Sequence, residues 1–249
     1  MNPVEAANAT AQAIGDLGGA FMTDGATYAR GGELGFSGID FYVLGRGGVL
    51  GDTSADVVAA AFYVWSPDQT RTQWASARAV MEPAPAAAEW ASLCHAYGEA
   101  NLPDTEGLAR LAELATKMID AASPAGAALF AGWRELPVPG TDRLKARVQH
   151  QLNALRELRG GLHGGAVLAA GLLPQEAVAF RAPFMAPIFG WDPETLPEGG
   201  TVKEQWKIAE AGTDAAMGRV FAALSDNELT EFTELITALH AAVQAAKEA

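Results

Sequence analysis

"FYVLGRGGVLGDTSADVVAAAF", Phe41 to Phe62, carries an apolar run into four glycines, Gly45, Gly47, Gly48 and Gly51, and then into a helical pattern. As a dinucleotide fingerprint it would open a doubly wound α/β domain, with a phosphate at the helix N-terminus. As a turn it joins elements of an all-α protein. A dinucleotide fold needs a second strand ending in an acidic residue about twenty positions on, followed by further alternating strands. Here Val57 to Trp65 leads into Pro67 and another helical segment. Asp52 also stands beside the helix start, where it offsets the dipole that would attract a phosphate. The stretch reads as a tight turn that uses glycine torsions and ends at a Thr53/Ser54 cap.

With no parallel sheet to build, the chain reads as all-α. Apolar residues recur mostly at helical spacing, and the two-residue alternation of strands is nearly absent. The last helix is the clearest: Ser225 and Glu228 make a capping box, and Phe232, Leu235, Ile236, Leu239 and Val243 make one apolar stripe. Further helices are predicted near Pro3–Met22, Ser54–Trp65, Asp68–Met81, Ala86–Ala100, Thr105–Ala122, Asp142–Arg159, Leu162–Ala170, Pro174–Arg181 and Val202–Leu224. The proline-containing break "WRELPVPGTD" is the best internal boundary, dividing residues 1–136, an N-terminal helical half, from residues 137–249. A second break, Arg181 to Thr201, is expected to be a loop or a short hairpin.

The 249 residues, 49% of them hydrophobic, can bury a substantial core. The longest apolar run falls far short of the roughly 20 residues that cross a bilayer. The N-terminus lacks the basic start of a secretory signal, so a cytoplasmic location is expected. The single cysteine, Cys94, excludes an internal disulfide and any multi-thiolate metal site within one chain. A net charge of −13 repels nucleic acid unless a local basic patch concentrates the cations.

That patch is "RLKARVQHQLNALRELR", Arg143 to Arg159, where Glu157 is the lone acid. Leu144, Val148, Leu152, Leu155 and Leu158 form its expected buried stripe, and the cations flank it on both sides. The expected role is a solvated border of snorkelling side chains, with an anion site at Arg156 or Arg159 as the sharper alternative. Next comes helix-turn-helix grammar in "LHGGAVLAAGLLPQEAVAF", with a turn at Gly171 and a second helix opened by Pro174. Yet between residues 161 and 200 Arg181 is the sole cation, against Glu176, Asp192, Glu194 and Glu198. A groove-reading helix needs several cations for phosphates.

Helical phase puts His95 and His150 opposite their apolar stripes and His240 at the border of the last core face. His163 differs: it is read as beginning a helix among Gly161, Gly164 and Gly165, where the dipole keeps imidazole neutral and able to bind a ligand or accept a proton. Neither a catalytic-serine elbow nor a zinc-protease pair occurs. Two of the histidines point away from their predicted cores, which opposes a metal held by three of them.

The "GR…LG" loop and the "LRE-x-RG-x-x-H" segment, covering roughly Leu17 to Leu239, resemble a family of actinobacterial helix-turn-helix proteins, themselves distantly similar to multiple-antibiotic-resistance-type winged-helix regulators. The matching residues are Gly45, Arg46, Leu50, Gly51, Phe62, Tyr63, Pro67, Arg156, Glu157, Arg159, Gly160 and His163. The resemblance implies a winged-helix-like second half, with the wing in Arg181 to Thr201, and a shared site at Arg46, Arg159 and His163. Two departures stand out. "DLGGAFM" has lost a histidine expected near Gly18 or Gly19, and "RGGLH" replaces "RGDGH", losing its acid.

Taken together, the expectation is two packed helical halves that bind a small-molecule ligand between them. Arg46, Arg156, Arg159 and His163 would supply polar contacts, and Phe62, Tyr63 and Phe184 an apolar wall. No metal is expected, no cofactor is named, and nucleic acid and membrane are disfavoured partners. A homodimer juxtaposing two basic helices on DNA is the second reading. A metal- or cofactor-dependent enzyme using His163 is the third.

Overall fold

The computed structural model describes residues 1–248, apart from the side chain at position 201; position 249, the end of the second predicted half, lies outside the described residues. Asn2 opens the first helix, α1 (Pro3–Gly19), by accepting from the Glu5 N–H at 2.9 Å while the Glu5 carboxylate accepts from the Asn2 N–H, a reciprocal cap. There follow α2 (Gly25–Glu33), α3 (Asp40–Gly47), α4 (Ala55–Ala61), α5 (Pro67–Arg78), α6 (Pro83–Asn101), α7 (Leu108–Ala121) and α8 (Ala128–Arg134). Then come α9 (Leu144–Ala169), α10 (Pro174–Arg181), α11 (Lys203–Phe221) and α12 (Asp226–Glu248). Among the described residues there is no strand, and the fold is all-α.

The opening stretch resolves as helices. Phe41 to Gly47 belongs to α3, so the apolar run that resembled a strand is itself helical. Gly45 lets α3 lie directly on α6, since a Cβ there would sit 2.8 Å from the Trp90 ring. Gly51 alone in the stretch takes a left-handed torsion, φ +75°, and supplies the turn. Ser54 occupies the cap position of α4 without capping through its side chain.

At the centre runs α9, 26 residues packed by α1, α6, α7, α8 and α11. The expected break at Gly160 does not occur: the two helices predicted at Asp142–Arg159 and Leu162–Ala170 are one, Leu144–Ala169, with Asp142 and Arg143 in a preceding 3-10 turn. Glycine weakens an interior turn by only about 0.5–1 kcal/mol relative to alanine, and the buried flanks Leu158 and His163 outweigh that. Its position also overturns the phase argument. His150, expected on an outer face, is 2% exposed, and Gln149, Gln151, Asn153 and Glu157 are buried beside the leucines. A helix packed on every side has no outer face.

The boundary at 136/137 falls between α8 and α9, and one apolar cluster spans it from Ala6 to Val243. The expected C-terminal stripe is formed by Phe232, Ile236, Leu239 and Val243, which are buried, with Leu235 half-buried against the same core, and the Ser225 N–H donates to Glu228 at 3.1 Å. The expected hairpin wing is not formed. Residues 182–202 run through turns and short 3-10 pieces at Pro183–Met185 and Gly199–Val202. Pro183, Pro187, Pro193 and Pro197 withdraw the N–H groups a ladder would need.

Candidate functional site

A cavity of about 740 Å³ lies among α1, α3, α4 and α9, and six of the seven sequence-predicted residues line it: Arg46, Phe62, Tyr63, Arg156, Arg159 and His163. The seventh, Phe184, does not. It is 78% exposed, in a 3-10 turn after α10 that buries none of its residues. The segment after α10, residues 182–202, forms a strap that contributes Phe189 to the apolar wall, packed on Trp65 at 5.3 Å between ring centres. Two hydrogen bonds pin that strap: Ser66 N–H to the Phe189 carbonyl and Trp191 Nε1–H to the Val64 carbonyl, each 2.7 Å.

At the inner end, Glu157 gathers two arginines. Arg46 donates from Nε and Nη2 to its two carboxylate oxygens, both at 2.8 Å, a bidentate pairing. Arg156 Nη1 donates to Oε1 at 2.9 Å. Arg46 also donates to the Tyr42 hydroxyl at 3.3 Å and lies 4.6 Å over the Phe62 ring, a cation–π contact. Burial alone would favour the neutral forms of both partners. The Arg46–Glu157 attraction prevails, so the guanidinium stays above, and the carboxyl below, its ordinary value. Glu157 stood out in sequence as the odd acid in a basic run and as part of the LRE segment, without a role at the site.

At the outer end, Arg159 Nη2 donates to Glu210 at 2.8 Å, and its Nε is buried with no acceptor among the described residues. His163 Nδ1 lies 2.9 Å from the Thr213 hydroxyl, which itself donates to the Ala209 carbonyl at 2.7 Å. Since that hydroxyl has one proton, His163 must donate from Nδ1, leaving Nε2 as an acceptor. Burial lowers the ring's pKa, with Arg159 acting the same way and Glu210 opposing. The histidine is neutral as expected, but for a different reason. It lies well inside α9, far from a helix N-terminus, and desolvation does what the dipole was expected to do. Tyr63 and Trp206 flank it edge-on. Glu210, Thr213 and Trp206 come from α11, and nothing in sequence marked them.

The glycines of α9 do two different things. A Cβ at Gly161 would lie 2.6 Å from the Ala127 Cα, and one at Gly164 would lie 2.9 Å from the Tyr63 ring, so both permit close approach. A Cβ at Gly160 or at Gly15 of α1 would meet nothing within 4 Å, although both residues line the cavity. Their missing side chains are part of the open volume. A second cavity, about 690 Å³, adjoins across Tyr63, Arg159 and His163 and is bounded by α10 and α11.

The basic segment is not a free cationic face. Arg143 pairs with Glu99, Lys145 with Asp104, and Arg147 donates to the Pro139 carbonyl, so the expected solvated border is a set of bonded side chains. Among the described residues no three His, Cys, Asp or Glu are grouped to hold a metal ion, and no helix is long and apolar enough to cross a membrane.

A profile described as "Helix-turn-helix family" matches residues 7–249. The chain belongs to this helix-turn-helix family. The match covers both halves, so the family unit includes α1 through α12 and not only the tandem of α9 and α10. Within this helix-turn-helix protein, the turn predicted at Gly171 is present with φ +82°, and α10 begins at Pro174 as expected. The first helix of the tandem differs, being the end of α9 and not a separate short element. No curated protein and no solved structure matches the chain.

Proposed function

We propose that this helix-turn-helix protein is a small-molecule-binding protein whose ligand occupies the cavity between α1, α3, α4 and α9. The observation that carries the reading is the convergence of Arg46, Arg156, Arg159, His163, Phe62 and Tyr63, drawn from three separate parts of the sequence, on one volume of about 740 Å³. That size and mixture, mostly apolar wall with a few placed polar groups, is what ligand sites require. Gly160→Leu places a side chain into the open volume, since a Cβ at that position meets nothing within 4 Å. Nile red, a neutral solvatochromic dye, is expected to bind the native protein with a blue-shifted emission that Gly160→Leu removes. Equal dye binding by the two proteins would sink the reading.

The family description favours a second reading, a DNA-binding regulator using α10. Its charge weighs against it: α10 carries Arg181 and Glu176, and the cations of α9 are bonded to the protein's own acceptors. Neutralising several phosphates gives a steep salt dependence. A shift of random duplex DNA at low salt that vanishes as salt rises would establish this reading, and absence of a shift at low salt would end it.

A further inference from the structure

The two ends of the cavity are not electrostatically alike. Arg159 at the outer end is matched by Glu210, with Asp214 4.0 Å away. At the inner end two guanidiniums share the single Glu157 carboxylate. Arg46 uses three nitrogens on Glu157 and Tyr42. Arg156 uses only Nη1, so its Nε and Nη2 donors have no acceptor among the described residues. Its side chain is 27% exposed, passes over Gly19 of α1, where a Cβ would come within 2.7 Å of Nε, and lines the cavity. A protein of net charge −13 thus holds a half-matched positive charge at the edge of a cavity whose apolar wall includes Ile14, Ala60, Val64, Leu129 and Phe189.

We infer that the ligand is an amphipathic anion, a carboxylate on an apolar body, with Arg156 reading the carboxylate and the apolar wall holding the body. This rests on the small-molecule reading above. A carboxylate presents two oxygens to the two free N–H groups of one guanidinium, the paired geometry arginine favours. Bringing it there completes the charge balance that Glu157 leaves half done. A cationic ligand would meet Arg46 and Arg156 with no free carboxylate to answer it. A neutral ligand would leave the Arg156 donors unpaired once water is displaced, which costs affinity. His163 Nε2 and the Tyr63 hydroxyl, at the other end, suit a second polar group on the same molecule, an acceptor facing a donor.

The test is calorimetric titration of the intact chain with three molecules of one body and different heads: 4-phenylbutyrate, 4-phenylbutan-1-ol and 4-phenylbutylamine. The acid is expected to bind at least about tenfold tighter than the alcohol, the scale of one charge-assisted hydrogen bond. The amine is expected to bind weakest. Arg156→Gln should bring acid and alcohol to the same affinity, and because Arg46 keeps its bidentate bond to Glu157 the variant should melt as the native protein does. Gly160→Leu should abolish binding of all three. If the alcohol binds as tightly as the acid and Gly160→Leu still removes it, the anion assignment falls and the cavity reading survives. If the acid binds best but Gly160→Leu leaves it unchanged, both fall, as they do if none of the three binds.

Discussion

The two halves of α9 are built for opposite ends. From Ala146 to Leu158 the helix is sealed: Val148, Leu152, Leu155 and Leu158 are joined in burial by Gln149, His150, Gln151, Asn153 and Glu157. From Arg159 to Ala169 it carries four glycines and borders the cavity. The first half spends burial on a rigid axis, with the two glutamines tied back through their amide N–H groups, Gln149 to the Leu17 carbonyl at 2.9 Å and Gln151 to the Ala112 carbonyl at 3.0 Å, while the Asn153 amide has no partner among the described residues. The second half gives up side chains to leave space. Glu157 and Arg156 stand at the junction, so the rigid half fixes the charged end of the open half. The lesson is that a site can be created by omission, and that glycines inside a helix are read correctly only when it is known what faces them.

Substitutions on either side of the junction should break this contrast to different extents. The largest effect is expected for Glu157→Ala, which leaves Arg46 buried without its carboxylate; removing one partner of a buried pair costs about 3–5 kcal/mol. Arg156→Ala, which spares the bidentate bond, should cost no more than about 1 kcal/mol. Urea unfolding of both variants checks the asymmetry, and equal losses would mean that Glu157 is not the organising group.

Acid should next separate the sealed half from the rest. His150 is pushed down to about 3 by burial, then by His95 and Arg147; His95 is pushed to about 4 by burial, then by Arg143. The His95 Nε2 to His150 Nδ1 distance is 3.0 Å, and the His150 ring stacks on Trp133. The unfolded chain takes up these protons near 6.5, above the folded values, so it binds more protons throughout the interval. Stability is therefore full above pH 6.5 and falls as pH drops through the interval towards 4 and 3. Between about 6.5 and 5.5 ordinary carboxylates stay ionised, so the fall in melting temperature there reports the buried histidines, His163 among them. His150→Phe should flatten that part of the curve in scanning calorimetry, and an unchanged slope would place the titrating groups elsewhere.

Neighbouring glycines then sharpen the contrast at single-residue scale. Gly161→Ala forces a methyl against the Ala127 backbone and should destabilise by about 1–3 kcal/mol. Gly160→Ala enters open space and should stabilise by about 0.5–1 kcal/mol through helix propensity alone. Opposite signs in guanidinium unfolding are the expected outcome. The smallest effect is expected for Phe184→Ser, which should stay within about 0.5 kcal/mol and leave Nile red binding unchanged, as suits an exposed ring outside the cavity.

Local chemistry was enough for much of this protein. The absence of alternating strands, the caps at Ser225 and Pro174, the turn at Gly171 and the chemical types at the site all follow from interactions over a few residues, which a linear sequence displays. The helices α2, α3 and α8 escaped that reading because they are short or glycine-bearing and are stabilised by packing more than by propensity. What surrounds a residue was settled only by the folded chain. Arg46 meets Glu157 across 111 positions, and His163 meets Thr213 across 50, because the long Arg46 side chain reaches α9 from α3 and α11 is laid against α9. Burial of His150, exposure of Phe184 and the empty space before Gly160 have the same origin. Each depends on which distant segment occupies the neighbouring volume, and helical phase specifies only which direction a side chain leaves its own backbone.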